Sequence, residues 1–359
     1  MKLMRKAFLE KLKLAMPGIE SGKSVIQGSD SFVFHDGSLF TYNDSVAVLV
    51  PLDSTDLVDE GLEGAVHAKE LYNVVSKFTS DEMTLTVKDG KSWEVKCGRA
   101  KVKLTLLDFD YGSRLSGVSP KEEGWVAIGE DFMTALSVCR MQGNKSKMAG
   151  VYVTGRRVVS TDGYQMNLYE MDGELPTFWI ADASVVELLK LKGIQYVQMG
   201  RNWVHFRNRD GVVFSVKTLN DSNYPYEKIS KLIGVASPSE DDLHATFPKE
   251  LMEAIERADN FSMDLMDQRV VRLVLGTEGT EVSCERNSGG YSEMVPWTTP
   301  LGRELEPTKV YVDADMMKAM AGRSLEFYLI YIEGKSGKLL PRMVFTTPSS
   351  KHIMATFLE

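Results

Sequence analysis

The chain has 359 residues, 43% hydrophobic and 26% charged, the ordinary usage of a folded globular protein, which excludes disorder, collagen and coiled coil as descriptions of the whole. One core stops growing at roughly 250–300 residues, so two or three domains are expected. Lys and Arg number 42 against 50 Asp and Glu, and the net charge of −8, taken globally, argues against nucleic-acid binding.

In chain order, the first helical apolar spacing covers Lys2–Ala15. The loop after it, Pro17-Gly18-Ile-Glu-Ser-Gly22-Lys23-Ser24, comes close to a phosphate-binding loop. Pro17 occupies the place of the first glycine, however, and a helix precedes it where a strand is needed, so no cradle of backbone N–H groups is expected. Ser31-Phe-Val-Phe-His-Asp36-Gly37-Ser-Leu-Phe-Thr predicts two strands about an Asp-Gly turn. The apolar run Val46 to Leu52 predicts a buried strand. A helix follows over Ala68–Phe78, then a strand from Met83 to a second turn at Asp89-Gly90. Gly117-Val-Ser-Pro-Lys-Glu-Glu-Gly124 is a polar joint. Further helices are predicted over Gly129–Lys147 and Ala181–Lys192, with a hairpin about Asp210-Gly211. After a second joint, Gly234 to Asp242, come helices over Pro248–Asn260 and Val312–Arg323. Pro248 suits a first helical turn, and Asp182 and Asp313 suit caps.

Helix, strands, helix, strands thus occurs three times, at an offset of about 120 residues, which reads as an internal repeat. The expectation is an α+β chain of three repeated units, 1–120, 121–238 and 239–359, each with two helices packed on antiparallel sheets. The six helical windows carry 16 Lys and Arg against 12 Asp and Glu, a balance of +4, so the remainder carries −12. The helices form the positive layer of an acidic protein. Such a layer is either a solvated face or a surface that meets phosphates without reading sequence.

Catalytic signatures do not emerge. The five histidines are scattered, with no HExxH and no ligand spacing, and the cysteines form no CxxC. Asp241-Asp242 and Glu122-Glu123 fall in joints, where a carboxylate lacks the rigid, partly buried setting of a general acid. Cys97, Cys139 and Cys284 are too few and too far apart for a disulfide framework. No apolar run approaches the ~18 residues of a membrane helix, and Glu10, Lys11 and Lys13 interrupt any signal-peptide core. A cytoplasmic, non-enzymatic protein without metal or cofactor is expected.

Three stretches resemble the bacterial and phage DNA polymerase III beta subunit, the β sliding clamp. Gly150-Val-Tyr-Val-Thr-Gly and Val158-Val-Ser-Thr161-Asp162-Gly163-Tyr164-Gln165-Met166 are similar to that family's strand and T-D-G-h-R-L segment. The run from Val213 to Tyr224-Pro225-Tyr226-Glu-Lys228-Ile229 resembles the strand that ends in Y-P-D-Y. Phe247-Pro-Lys-Glu-Leu-Met-Glu-Ala-Ile-Glu-Arg257-Ala resembles the opening helix of the family's third domain.

The resemblance implies a ring-forming, head-to-tail homodimer that encircles duplex DNA without sequence preference. It implies partners that dock through short linear peptides, a replicative polymerase and a clamp loader, and no cofactor. The peptide cleft it implies is built from Val153, Thr161, Gly163, Tyr164, Gln165 and Met166, with Pro225, Lys228 and Ile229, and with Met354, Ala355, Thr356, Phe357 and Leu358 at the end. DNA contacts are expected from Lys6, Lys11, Lys77, Arg140, Lys145, Lys147, Lys190 and Lys192. The ring contact is expected at Leu104 and Leu106 on one side and Asn260 and Phe261 on the other. Gln165 and Met166 stand where the family has Arg and Leu, one residue is missing between Pro225 and Tyr226, and Met354-Ala-Thr-Phe-Leu replaces the usual ending. These departures imply an altered peptide preference. The rival readings are a peptide-binding scaffold of the same fold that closes no ring, and an enzyme with a pocket away from this cleft.

Overall fold

The computed structural model describes residues 2–20, 22, 26–52, 62–141, 148–261, 263–265, 268–286, 289–299, 301, 304–334 and 337–356. Among them lie eight α-helices: α1 (Arg5–Ala15), α2 (Ala68–Lys77), α3 (Gly112–Val118), α4 (Phe132–Cys139), α5 (Asp182–Leu188), α6 (Tyr226–Val235), α7 (Glu250–Asp259) and α8 (Ala314–Ala321). The chain divides into two compact units. One holds residues 1–137, 150–156 and 172–221, and the other 138–149, 157–171 and 222–359. The long hairpin Gly150–Thr161 and Gln165–Ala181 contributes to both.

In the first unit α1 and α2 pack on each other, and α1 lies on strand Val46–Pro51. The apolar spacing explains this: α1 buries Phe8, Leu12 and Ala15, and α2 buries Ala68, Leu71 and Val75. Phe8 stacks on Phe34 at 6.0 Å, and Phe34 meets the edge of Trp93 at 5.0 Å. The Asp-Gly turns form as predicted. Asp36 and Gly37 have φ of 46° and 65°, and Asp89 and Gly90 have 52° and 61°, the left-handed pair that matches strand twist in a two-residue hairpin. Four strands of one sheet follow the order Lys2–Met4, Glu82–Lys88, Ser92–Cys97, Ala100–Thr105, leaving the last as an edge.

In the second unit α7 buries Leu251, Ala254, Ile255 and Ala258, and α8 buries Ala314 and Met317. They cover a core in which Phe247 stacks on Phe327 at 4.0 Å, beside Trp297 and Phe345. Asp313 caps α8 by accepting the Met316 N–H at 2.9 Å. Asp182, by contrast, is the first helical residue of α5, after Ala181.

Two ladders join distant thirds of the chain. Val46–Leu49 pairs antiparallel with Val213–Val216, making one eight-stranded sheet in the first unit. Gln165–Tyr169 pairs antiparallel with Ser350–Met354, making a six-stranded sheet in the second.

The structure departs from the predicted elements in two ways. Lys2–Met4 forms a strand with Glu82–Thr84 in place of the first turn of a helix, and Val312 and Asp313 close a strand before α8 starts. Two helices fall where joints were expected. In α3, rich in Gly and Ser, Asp110 holds the start by accepting from both the N–H and the hydroxyl of Ser113. In α6, Ile229 and Ile233 recur at helical spacing and are buried.

Two histidines are buried in neutral form. His352 donates Nδ1–H to Asn167 Oδ1 at 2.5 Å, its Nε2 has no partner, and burial beside Arg323 pushes its pKa down to about 3. Burial also lowers His205, on Ser215 Oγ at 2.7 Å, to about 4. Both folded-state values lie below the unfolded 6.5, so the stability tied to the neutral rings is complete above pH 6.5 and falls as pH drops below it. At pH 5 each histidine costs roughly 2 kcal/mol relative to neutrality. Urea melts between pH 7 and 5 are expected to show this loss. In His352→Asn, whose amide keeps the bond to Asn167, the slope with pH is expected to be shallower.

Candidate binding cleft

The turn that closes the long hairpin is fixed by its own side chains. Thr161 donates its hydroxyl to the Gln165 carbonyl at 2.8 Å and accepts the Gly163 N–H at 3.1 Å. Asp162 accepts from the backbone of Tyr164 and of Gln165, both at 2.8 Å, and from the Gln165 side-chain amide at 3.0 Å. Asx and hydroxyl turns of this kind are the local signature of Thr and Asp in T-D-G. Gly163 has φ of 96°, a conformation open to glycine and strained for a side chain. The final strand ties onto the turn through the Ala355 N–H, which donates to the Tyr164 carbonyl at 2.7 Å.

Beside this turn lies a cavity of about 260 Å³ within the second unit. Thr161, Gly163, Tyr164, Gln165 and Met166 form its rim. Leu232 of α6 lines it, as do Ile332, Glu333 and Gly334, Leu340 and Arg342, and Ile353 and Ala355. Strand alternation accounts for the lining. Within Leu339–Thr346, Met343 and Phe345 face the core, while Leu340 and Arg342 face the other way. Register places Arg342 opposite both Ile330 and Ala355.

Six expected cleft residues meet at this cavity: Thr161, Gly163, Tyr164, Gln165, Met166 and Ala355. Val153 and Met354 are fully buried, and Thr356 is buried with its hydroxyl on the Pro341 carbonyl at 2.8 Å. On α6, Pro225 is the cap, Ile229 is buried and Lys228 is exposed. Phe357 and Leu358 lie outside the described residues. Sequence reasoning missed Leu232, Ile332, Leu340, Arg342 and Ile353. The usable signals were the i, i+3, i+4 spacing of Ile229, Leu232 and Ile233 and the period-2 pattern of the last two strands.

Of the cationic candidates, Lys6, Lys77, Lys190 and Lys192 are exposed. Lys6 sits 3.6 Å from Asp81 and Lys190 2.6 Å from Glu187. Arg140 and Lys11 are half-buried, and Lys11 donates to the Pro51 carbonyl at 3.1 Å. Lys145 and Lys147 lie outside the described residues. Leu104 is buried opposite Trp93 on the edge strand, and Leu106 packs over Gly64. Asn260 caps α7 through bonds to the Glu256 and Arg257 carbonyls. Phe261 packs on the second unit's core beside Gly289.

Neither a protein-family model nor a curated protein matches the sequence. Solved structures do match over its whole length. The DNA polymerase III subunit beta of Pseudomonas aeruginosa is 18% identical, with a TM-score of 0.77 and coverage of 100% of this chain and 99% of that one. The fold is that of the β sliding clamps. The beta chain from Streptococcus pneumoniae is 14% identical at a TM-score of 0.82, covering 100% of this chain and 99% of its own. The Bartonella birtlesii sliding clamp, solved with griselimycin bound, is 16% identical at 0.79, with the same coverage. Among the described residues of this chain, no group of three His, Cys, Asp or Glu could hold a metal ion, and no helix is long and apolar enough to cross a membrane.

Gly163→Ala tests the rim. A Cβ there meets nothing within 4 Å, so the cost is backbone strain alone, about 1 kcal/mol in a denaturant melt.

Proposed function

We propose that this chain is a DNA sliding clamp, a non-enzymatic processivity factor acting as a head-to-tail homodimer around duplex DNA, in the cytoplasm and without a cofactor. One observation carries the reading. In each third, the strand after the second turn can be matched to its counterparts: Val46–Pro51, the start of Gln165–Ala181, and Gly289–Pro296. So can the closing strand: Ala100–Thr105, Val213–Lys217 and Ser350–Ala355. Twice the first kind pairs with the closing strand of the next third. The two left over, Gly289–Pro296 and Ala100–Thr105, are sheet edges. A second copy supplies the missing partner for each. Charge supports that match, since Lys101 and Lys103 lie on one edge and Glu293 on the other. Phe261, beside Gly289, then stands at the joint, as the family resemblance implies. Three clamp domains, 1–120, 121–238 and 239–359, follow from the same matching.

In this reading the cavity by the 161–166 turn receives short linear peptides of a replicative polymerase and a clamp loader. Its apolar wall and Met166 suit varied anchors. The exposed lysines meet passing phosphates weakly, which a topological link tolerates and sliding requires.

The test is retention on DNA. With its loader, the protein is expected to stay on a nicked circular plasmid through gel filtration and to leave once the circle is cut; equal retention on linear DNA overturns the reading. Lys103→Pro removes an edge N–H donor and is expected to convert a dimer to a monomer in light scattering, with little change in melting temperature. Replacing Lys6, Lys77 and Lys192 together by Gln is expected to lower the log–log salt slope of DNA association by roughly 0.9 for each contact that Lys makes.

A further inference from the structure

The cavity by the 161–166 turn has an apolar wall and one charge set into it. Arg342 projects from the same strand face as Leu340, is half-buried, and makes a single hydrogen bond, from Nη1 to the Pro341 carbonyl at 2.8 Å. A guanidinium carries five N–H donors, so most of them face the cavity unpaired among the described residues. Glu333 lines the same cavity, yet no carboxylate of the described residues forms an ion pair with Arg342, and burial alone lowers its pKa. The other arginines of the second unit differ: Arg257 is held by Glu293, Arg272 by Glu281 and Arg157 by Glu170. A desolvated cation without a counter-charge costs free energy, and a planar fork recovers it best from a carboxylate bound through two parallel bonds.

We propose that Arg342 makes this cavity selective for a peptide that carries an Asp or Glu side chain between apolar anchors. The apolar side chains seat against Leu232, Ile332, Leu340 and Ile353, and the carboxylate closes on the guanidinium. This rests on the cleft reading given above and adds the charge of the ligand to it. Gln165 sharpens the assignment. Its amide is spent on Asp162, so the rim offers no second fixed charge, and Lys228 lies on α6 outside the cavity lining.

The experiment selects random heptapeptides, embedded in a constant chain so that only side chains supply a carboxylate, against the full-length protein and against Arg342→Gln. Wild type is expected to enrich one acidic position flanked by apolar residues, and Arg342→Gln to keep the apolar positions and lose the acid. Changing that acid to Asn or Gln in the best peptide is expected to weaken binding on the order of tenfold on wild type and not at all on Arg342→Gln. Arg342→Lys, which keeps the charge without the fork, is expected to fall between. Matching melting temperatures establish that the variants are folded. Apolar enrichment without an acid, or a preference for acid that survives Arg342→Gln and disappears in Lys228→Gln, overturns the role of Arg342 and leaves the cleft in place. Peptides whose binding is untouched by Leu232→Asp and Leu340→Asp overturn the cleft itself.

Discussion

Backbone hydrogen bonding between sheet edges from different thirds of the chain is the constraint on which this fold depends. Each third ends a sheet with N–H and C=O groups that have no partner of their own, and an unpaired edge is a liability as well as an opportunity. The ladders Val46–Leu49 with Val213–Val216, and Gln165–Tyr169 with Ser350–Met354, satisfy two such edges internally. They also explain why the compact units do not follow the repeat. Sheets run through the boundaries between thirds, and the division falls within the long central hairpin.

The cleft is a by-product of the second of these ladders. Pairing with Ser350–Met354 brings the T-D-G turn next to the last two strands, whose outer faces carry Leu340, Arg342 and Ile353. Polar bonds are spent inside the turn, where Thr161 and Asp162 use their oxygens on backbone N–H groups. Little polar demand is left on the rim, and the surface it borders stays apolar. Gln165 belongs to this economy, held by Asp162 and thereby withdrawn from ligand contact.

The repeat, the Asp-Gly hairpins and the amphipathic cores of α1, α2, α7 and α8 were legible because each rests on local periodicity or on a turn that needs φ > 0. The T-D-G turn was legible for the same reason. What escaped was long-range. Whether Leu340 or Met343 faces the core depends on which strands lie on either side, and that is set by partners far along the chain. Leu104 was expected at a ring contact, yet cross-strand pairing with Trp93 gives it a place in the first unit's core, while Lys103 beside it is exposed. In α6 the apolar spacing was present, but the preceding Tyr-Pro and the following Gly-rich joint read as loop.

The two leftover edges are chemically different strands, so the contact they make is heterologous: each copy offers one kind and accepts the other. Such contacts have no built-in stopping rule. They terminate only when the rotation from copy to copy brings the last edge back to the first, and otherwise they grow into an open filament. A small change in the angle of either joining strand therefore acts on assembly size rather than on affinity, and selection on this chain works as much on geometry as on bonding.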